Sequence, residues 1–267
     1  MTQTSGVPAV PLPGDVTMPL VGFGTWQLSG HGAYDAVRTA LDVGYRHLDT
    51  ATMYRNEAEI GRALRDSGVP REEVFVTTKL PPSAAGRESA TLAASLQALD
   101  TPYVDLWLVH APPPARALVP VWQAFLDVRG QGLARAVGVS NFSTAQLDEV
   151  TSATGQAPAV NQIPWSPYEH DERRVVEHRD RGVVIEGYSP LKGTDLADPV
   201  LVDIASAHGV TPAQVVLRWH VQHGIVVIPK SADPGRTAAN LDLFGFTLDA
   251  DEMERVDGIS AVRRRHG

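Results

Sequence analysis

Short apolar runs alternate with stretches of helical period along the chain, and that alternation constrains the fold more than any other feature of the 267 residues. The runs are LVGFG (20–24), YRHLD (45–49), VFVTTK (74–79), VDLWLVH (104–110), ARAVGVS (134–140), AVNQI (159–163), VVIEGYS (183–189) and IVVIPK (225–230). Between them lie AYDAVRTALDVG, NEAEIGRALRDSG, SATLAASLQALD, PVWQAFLDVRG, TAQLDEVTSATG and DERRVVEHRDRG, whose apolar residues recur at helical spacing. Two further helical stretches, PVLVDIASAHG and TPAQVVLRWHVQHG, separate the seventh run from the eighth. Strands joined through helices pair in parallel, because the crossover returns the chain to the same end of the sheet. Eight such units close into a (β/α)8 TIM barrel of typically about 250 residues, so the spacing predicts one domain over 1–267. The segment VPAVPLPGDVTMP predicts a small N-terminal hairpin under the barrel, and the surplus helices fall near the C-terminus.

Composition limits what such a barrel acts on. A net charge of −8 argues against nucleic acid as the main partner. The absence of cysteine excludes disulfides and thiolate metal sites, and the histidines lack ligand spacing, so no metal is expected. The opening MTQTSGVPAVPLPGD has no basic segment followed by an apolar one, unlike a signal peptide. No apolar run approaches the roughly 20 residues that cross a bilayer. The expectation is a cytoplasmic monomer acting on a small molecule.

In a barrel of this kind the active site lies at the C-terminal ends of the strands. Asp49 ends the second run, Lys79 the third and His110 the fourth, while Tyr54 stands in the connection after the second. Four residues far apart in sequence would therefore meet at one rim. Only three of the 23 basic residues are lysines (Lys79, Lys192 and Lys230), so each invites the question of what arginine could not do there. A phenol with its ordinary pKa near ~10 exchanges protons poorly at neutral pH, and a neighbouring ammonium lowers that value. An aspartate in turn keeps a buried lysine charged. Asp49, Lys79 and Tyr54 thus make a chain that poises a phenol as general acid, and His110 could orient a carbonyl oxygen. The chemistry that needs this set is protonation of an alkoxide produced by hydride transfer. His47 shares Asp49's face by alternation and reads as a packed, hydrogen-bonded barrel histidine.

Other nucleotide and nucleophile motifs are incomplete. GFGTWQ has Gln27 where a dinucleotide-binding turn has its third glycine. GVSNF and GYSPL lack the second glycine of a nucleophile elbow. The loops after the seventh and eighth strands, GYSPLKG and IPKSADPGR, stand where this fold often binds phosphate. In the second, Asp233 is placed to cap a helix with Pro234 at its first position, and Lys230, Ser231 and Arg236 surround the helix start. Tyr188 offers a flat face to an aromatic ring.

The segments GFGTWQ, GYRHLDTATMYRNEAEIG, TTKL, VDLWLVH, GVSNF, NQIPWSPY, GYSPL and IPKSADPGRTAANLD occur in this order over residues 20 to 246. In them the chain resembles the aldo-keto reductases, NADPH-dependent carbonyl reductases on the (β/α)8 barrel, and among these the bacterial branch named for 2,5-diketo-D-gluconate. The resemblance implies NADPH as cofactor, a carbonyl compound as substrate and Tyr54 as proton donor, with Lys79, Asp49 and His110 completing a catalytic tetrad. It implies that Ser140, Asn141 and Gln162 hold the nicotinamide carboxamide while Tyr188 stacks on the ring. Ser189, Leu191, Lys230, Ser231, Arg236 and Asn240 would hold phosphates and adenosine, and Gly24, Thr25 and Trp26 would border the cofactor beside Asp49. Trp26, Tyr54, His110 and Ala111 would line the substrate pocket.

Three departures stand out. Ala239 replaces a glutamate common in the family at the adenine, Ala111 replaces a tryptophan after the catalytic histidine, and the tail after Asp257 is too short for a long substrate loop. Two other readings use the same barrel. One is a nucleotide-binding regulatory subunit of the potassium-channel beta type, which the complete tetrad and the short N-terminal segment disfavour. The other is a Schiff-base aldolase with Lys79 as nucleophile, which leaves Tyr54 and the 230–236 loop without a purpose.

Overall fold

The computed structural model describes residues 6–266, with side chains described as far as residue 259. Eight parallel strands follow one another around a single sheet: β3 Phe23–Gly24, β4 His47–Asp49, β5 Phe75–Leu80, β6 Val104–Val109, β7 Ala134–Ser140, β8 Val160–Pro164, β9 Val184–Tyr188 and β10 Val226–Val227. A parallel bridge between Val21 and Val227 joins the first of these to the last and closes the barrel. Every residue of β5 and β6 is buried, as strands covered on both faces must be, and the burial includes the charged Lys79 and Asp105.

Ahead of the barrel, β1 Ala9–Leu12 and β2 Val16–Pro19 form the expected antiparallel hairpin. Leu12, Val16 and Met18 join the main core. The Pro19 carbonyl meets the His47 ring at the start of β4, so the hairpin sits at the N-terminal end of the barrel, opposite the rim with the candidate site.

The helices are α1 Gly30–Asp42, α2 Glu57–Ser67, α3 Glu88–Leu99, α4 Ala115–Gly130, α5 Thr144–Thr154, α6 Glu172–Asp180, α7 Pro199–His208, α8 Pro212–Gln222, α9 Pro234–Leu241 and α10 Ala250–His266. α1 shows the spacing that sets them against the sheet: Ala33, Ala36, Val37, Ala40 and Leu41 are its buried residues. The pair α7 and α8 between β9 and β10, and α10 at the end, are the surplus helices expected near the C-terminus. Side chains from residue 260 on in α10, where the short tail was noted, lie outside the described residues.

Two boundaries differ from the pattern in the sequence. α4 starts at Ala115, five residues before its periodic stretch, and carries Pro120 inside it. Proline there removes one backbone hydrogen bond, but Leu118, Val121 and Trp122 are buried on the same helix and offset that loss. The first and eighth strands are only two residues each, and β10 stops short of Pro229, which has no N–H to continue a ladder.

Gly61 fixes how α2 packs on α3. A Cβ built on it would stand 2.4 Å from the Leu99 carbonyl oxygen and 2.7 Å from Leu99 Cα, all backbone at the end of α3. Backbone cannot move aside like a flexible side chain, so Gly61→Ala should destabilise the fold by about 1–3 kcal/mol despite alanine's better helix propensity. Urea denaturation measures this, and a variant as stable as wild type would mean that the two helices are free to separate.

Candidate active site

The strand ends carry the reactive side chains to one rim. Asp49 is the last residue of β4, and Lys79 lies near the end of β5. His110 directly follows β6. After β4 the chain makes a single 3-10 turn, Thr52–Tyr54, which ends in a left-handed Arg55 and brings Tyr54 back over Lys79. Thr52 Oγ1 donates to the Lys79 carbonyl at 2.9 Å, tying that turn to β5. Asn56 then locks the turn from below: it accepts from Thr50 Oγ1 at 2.8 Å and donates to the carbonyls of Thr25 at 3.0 Å and Leu28 at 2.9 Å.

Lys79 is fully buried and its Nζ lies 2.6 and 2.8 Å from the two Asp49 carboxylate oxygens. The same Nζ donates to the Thr50 carbonyl at 2.8 Å and to the Tyr54 hydroxyl at 3.4 Å. Burial alone would push the Lys79 pKa down, but the Asp49 charge and hydrogen bond, together with Tyr54, carry it up to about 12. Lys79 is therefore an ammonium. For Tyr54 the balance runs the other way: burial raises the phenol above its ordinary value, although Lys79 pulls it down. The sequence-based expectation of a lowered phenol pKa thus fails in the free protein, because desolvation outweighs the ammonium at 3.4 Å.

The His110 ring stands edge-on to Tyr54, with centroids 5.7 Å apart. Burial, with the Lys79 charge added, holds its pKa down to about 4, so the ring is neutral at pH 7. Its Nδ1 is buried with no hydrogen-bond partner among the described residues.

These residues border a cavity of about 680 Å³. Its wall includes Gly24, Trp26, Asp49, Tyr54, His110, Ser140, Asn141, Gln162, Tyr188, Ser189, Leu191 and Lys230, all named from the sequence. Ser140 Oγ donates to the Gln162 carbonyl at 2.8 Å, Asn141 Nδ2 donates to Ser140 Oγ at 3.0 Å, and Tyr188 Oη donates to Asn141 Oδ1 at 2.9 Å. These bonds fix a polar floor and aim a tyrosine face over it. Beyond Lys230, Asp233 caps α9 by accepting from Arg236 N at 2.8 Å, with Pro234 at the first helical position. Lys230 is exposed there, and Arg236, 77% exposed in its side chain, lies 3.9 Å from the Asp233 carboxylate.

A polar amide-binding floor, a flat aromatic face and Lys230 on one cavity wall, with the exposed Arg236 beyond it at a capped helix start, suit a dinucleotide with its nicotinamide inward. The orphaned His110 Nδ1 adds an unfilled polar position at the reacting end.

Six candidates lie off the cavity wall, Lys79 among them because it is fully buried beneath Tyr54. Thr25 is buried behind it with Oγ1 on the Asp49 carbonyl, and Ser231 turns its hydroxyl to Asp233. Arg236 and Asn240 belong to α9, with Arg236 exposed and Asn240 buried. Ala111, expected in the substrate pocket, is not on the wall of this cavity; it lies with His110 in the bend that follows β6.

Sequence reading passed over other residues. Gln27, Met53 and Lys192 also line the cavity, and Lys192 Nζ sits 5.0 Å from the Trp26 ring centroid across its mouth. Glu57 accepts from Thr78 Oγ1 at 2.6 Å under the site. Glu186, fully buried in β9, accepts from Gln162. A charged residue in the middle of VVIEGYS was the signal available for the last. His47 is the packed histidine expected, fully buried between Pro19 and Thr77.

Comparisons with known proteins place these residues in a wider setting. Residues 20–261 match the model of the aldo/keto reductase family. An aldo-keto reductase of Mycolicibacterium smegmatis is 44% identical over 262 residues, covering 96% of this chain and 95% of that protein. The 2,5-diketo-D-gluconic acid reductase B of a Corynebacterium species is 42% identical over 247 residues, covering 91% of this chain and 89% of that one. The crystal structure of a Gox0644 variant in complex with NADPH superimposes with a TM-score of 0.91 at 37% identity, covering 95% of this chain and 94% of that one.

Proposed function

The chain belongs to the aldo/keto reductase family, and from that premise we propose how its own residues carry out NADPH-dependent reduction of aldehydes and ketones. It is an NADP-dependent oxidoreductase of carbonyl compounds. The observation that carries the residue assignment is the position of the Tyr54 hydroxyl on the cavity wall, 3.4 Å from an ammonium that Asp49 holds in place.

Ser140, Asn141 and Gln162 would hold the carboxamide of the nicotinamide, with Tyr188 against the ring. Lys230, Ser231 and Arg236 would take the phosphate on the adenosine ribose, and Ser189, Leu191 and Asn240 the rest of that half. Bound there, the cofactor supplies a hydride to the carbonyl carbon. His110, neutral with one ring N–H to offer, orients the carbonyl oxygen. Tyr54 accepts from Lys79, which leaves its own O–H free to point into the cavity and give its proton to that oxygen. The phenolate left behind lies against the Lys79 ammonium, so the charge that develops in the reaction meets a countercharge already fixed. The raised resting pKa keeps the phenol protonated and ready at neutral pH.

Trp26 and Met53, 44% and 59% exposed, give the mouth an apolar rim open to solvent, which suits small carbonyl compounds of varied shape. The same reading has the chain working as one domain over residues 1–267, as a cytoplasmic monomer, with sedimentation equilibrium the test of the last point. The aldolase alternative is not favoured: a lysine held as an ammonium by three buried oxygens has no lone pair with which to attack a carbonyl. The channel-subunit alternative leaves the complete tetrad without a purpose.

Tyr54→Phe removes the transferable proton and little else. Carbonyl turnover should fall about 10²- to 10⁴-fold while NADPH affinity stays within about twofold of wild type. Turnover near the wild-type value, with cofactor saturating, would remove Tyr54 from the role of donor.

The choice of NADPH over NADH should lie with the exposed cations at the start of α9, because the acidic chain as a whole repels a phosphate. A hydrogen bond to a charged group is worth about 1.5–3 kcal/mol, so Arg236→Ala should weaken NADPH binding about ten- to a hundred-fold and NADH binding much less. Fluorescence titration of both cofactors checks this, and equal losses would put the phosphate elsewhere.

A further inference from the structure

Glu186 is a carboxyl that the chemistry above does not use. It lies in β9 with no exposed surface, opposite Gln162 on β8 and Val226 on β10. Its Oε2 accepts from Gln162 Nε2 at 2.8 Å, and the same Nε2 donates to Asp49 Oδ2 at 2.8 Å. One amide thus ties two buried carboxyls together. The lysine that acts on it, Lys79, already faces Asp49 through both carboxylate oxygens and is bonded to Thr50 and Tyr54 besides.

The other oxygen, Oε1, has no hydrogen-bond partner among the described residues and stands 3.6 Å from His47 Nε2. The tautomer of His47 is fixed from its far side. Nδ1 is 3.3 Å from the Pro19 carbonyl, which only accepts, so Nδ1 carries the hydrogen. Burial holds the His47 pKa at about 4, so the ring is neutral and Nε2 presents a lone pair, with Thr77 Oγ1 also beside it at 3.4 Å. A carboxylate at Glu186 would set its Oε1 lone pairs against that lone pair. A carboxylic acid would have an O–H to give it.

We propose that Glu186 works as an uncharged carboxylic acid and is a positioning residue for the reaction. Its proton lies toward His47, its second oxygen holds Gln162 against Asp49, and a second negative charge is kept away from Lys79 and Tyr54. The catalytic half of this statement rests on the assignment of Tyr54 as proton donor. With both N–H donors of Gln162 spent on Asp49 and Glu186, the amide keeps only its acceptor Oε1 for the cavity. A ligand group that Gln162 binds must therefore be a donor, such as a carboxamide nitrogen.

The titratable and charged groups facing Glu186 are His47 and Asp49 from β4, Lys79 from β5 and Tyr54 above them. Burial first, and Asp49 next, raise the Glu186 pKa to about 8, against a weaker pull down from Gln162 and Lys79. Ionisation of Glu186 is one of the effects that raise the Tyr54 phenol, so it makes Tyr54 a weaker acid.

The sign of the pH dependence follows. A carboxyl whose folded pKa lies above its unfolded one binds more protons in the native state, so stability falls as pH rises from the unfolded value to about 8. Glu186→Gln keeps the neutral shape at every pH: its oxygen can accept from Gln162 and its amide can donate to His47. Compared by thermal denaturation without cofactor, the variant should gain in Tm on wild type as pH rises from about 5 to about 8. Parallel curves would overturn the proposal.

In steady-state carbonyl reduction, wild-type turnover should decline as pH passes about 8, and E186Q should shift that decline at least one unit upward. The same alkaline limb in both proteins would overturn the positioning role. The thermal comparison needs no activity, so it decides the charge of Glu186 even if the chain were to reduce no carbonyl at all.

Discussion

The ion pair between Lys79 and Asp49, sealed in the end of the barrel, is the interaction on which the site depends. Two opposite charges are taken out of water at 2.6 Å, an arrangement that costs several kcal/mol per ion in desolvation and is held only by close geometry and further hydrogen bonds. The barrel supplies both. Register across β4 and β5 brings the two residues to one rim, the Thr50 carbonyl takes a further ammonium proton, and Gln162 takes one carboxylate oxygen. Neither charge would survive there alone. Their joint presence fixes a cation under the Tyr54 hydroxyl, and the rest of the cavity is arranged around that point.

Strain gathers in the same place. Six non-glycine residues have positive φ among those described, and four of them, Gln27, Arg55, Asn141 and Ser189, lie on the cavity wall or next to Tyr54. Such conformations cost on the order of 1 kcal/mol or more each and persist where surrounding bonds over-determine them. Asn141 is held through three polar contacts, to His110, Ser140 and Tyr188, and Arg55 precedes Asn56, the residue that pins three segments together. The scaffold below the rim is apolar and regular, and its packing tolerates these local departures above it.

Much of this was legible in the sequence, and the limits have physical causes. Eight apolar runs alternating with helical stretches declared the barrel because buried parallel strands and amphipathic helices leave distinct periods. Asp49, Lys79, Tyr54 and His110 were legible as a group because each broke the pattern at a strand end or just after it. Strand lengths were not, since the closing bridge between Val21 and Val227 depends on contacts between the two ends of the chain. The place of Ala111, in a bend after β6 and not on a strand, was not legible from alternation. Glu186 was hidden in plain view: a single acid inside an apolar run was read as part of a strand, and only its position behind Gln162 gives it meaning. The net pKa of Tyr54 needed the burial of the ring, which no motif reports.

The Lys79 ammonium makes Tyr54 a stronger acid than burial alone would leave it. Ultraviolet difference titration of the tyrosinate, wild type minus Tyr54→Phe, isolates that one phenol. It should release its proton above the ordinary tyrosine range in the free protein, and in the Lys79→Met background, with Asp49→Asn added so that no unpaired charge remains, it should move higher still. A Tyr54 titration that stays where it was once Lys79 is gone would contradict the account.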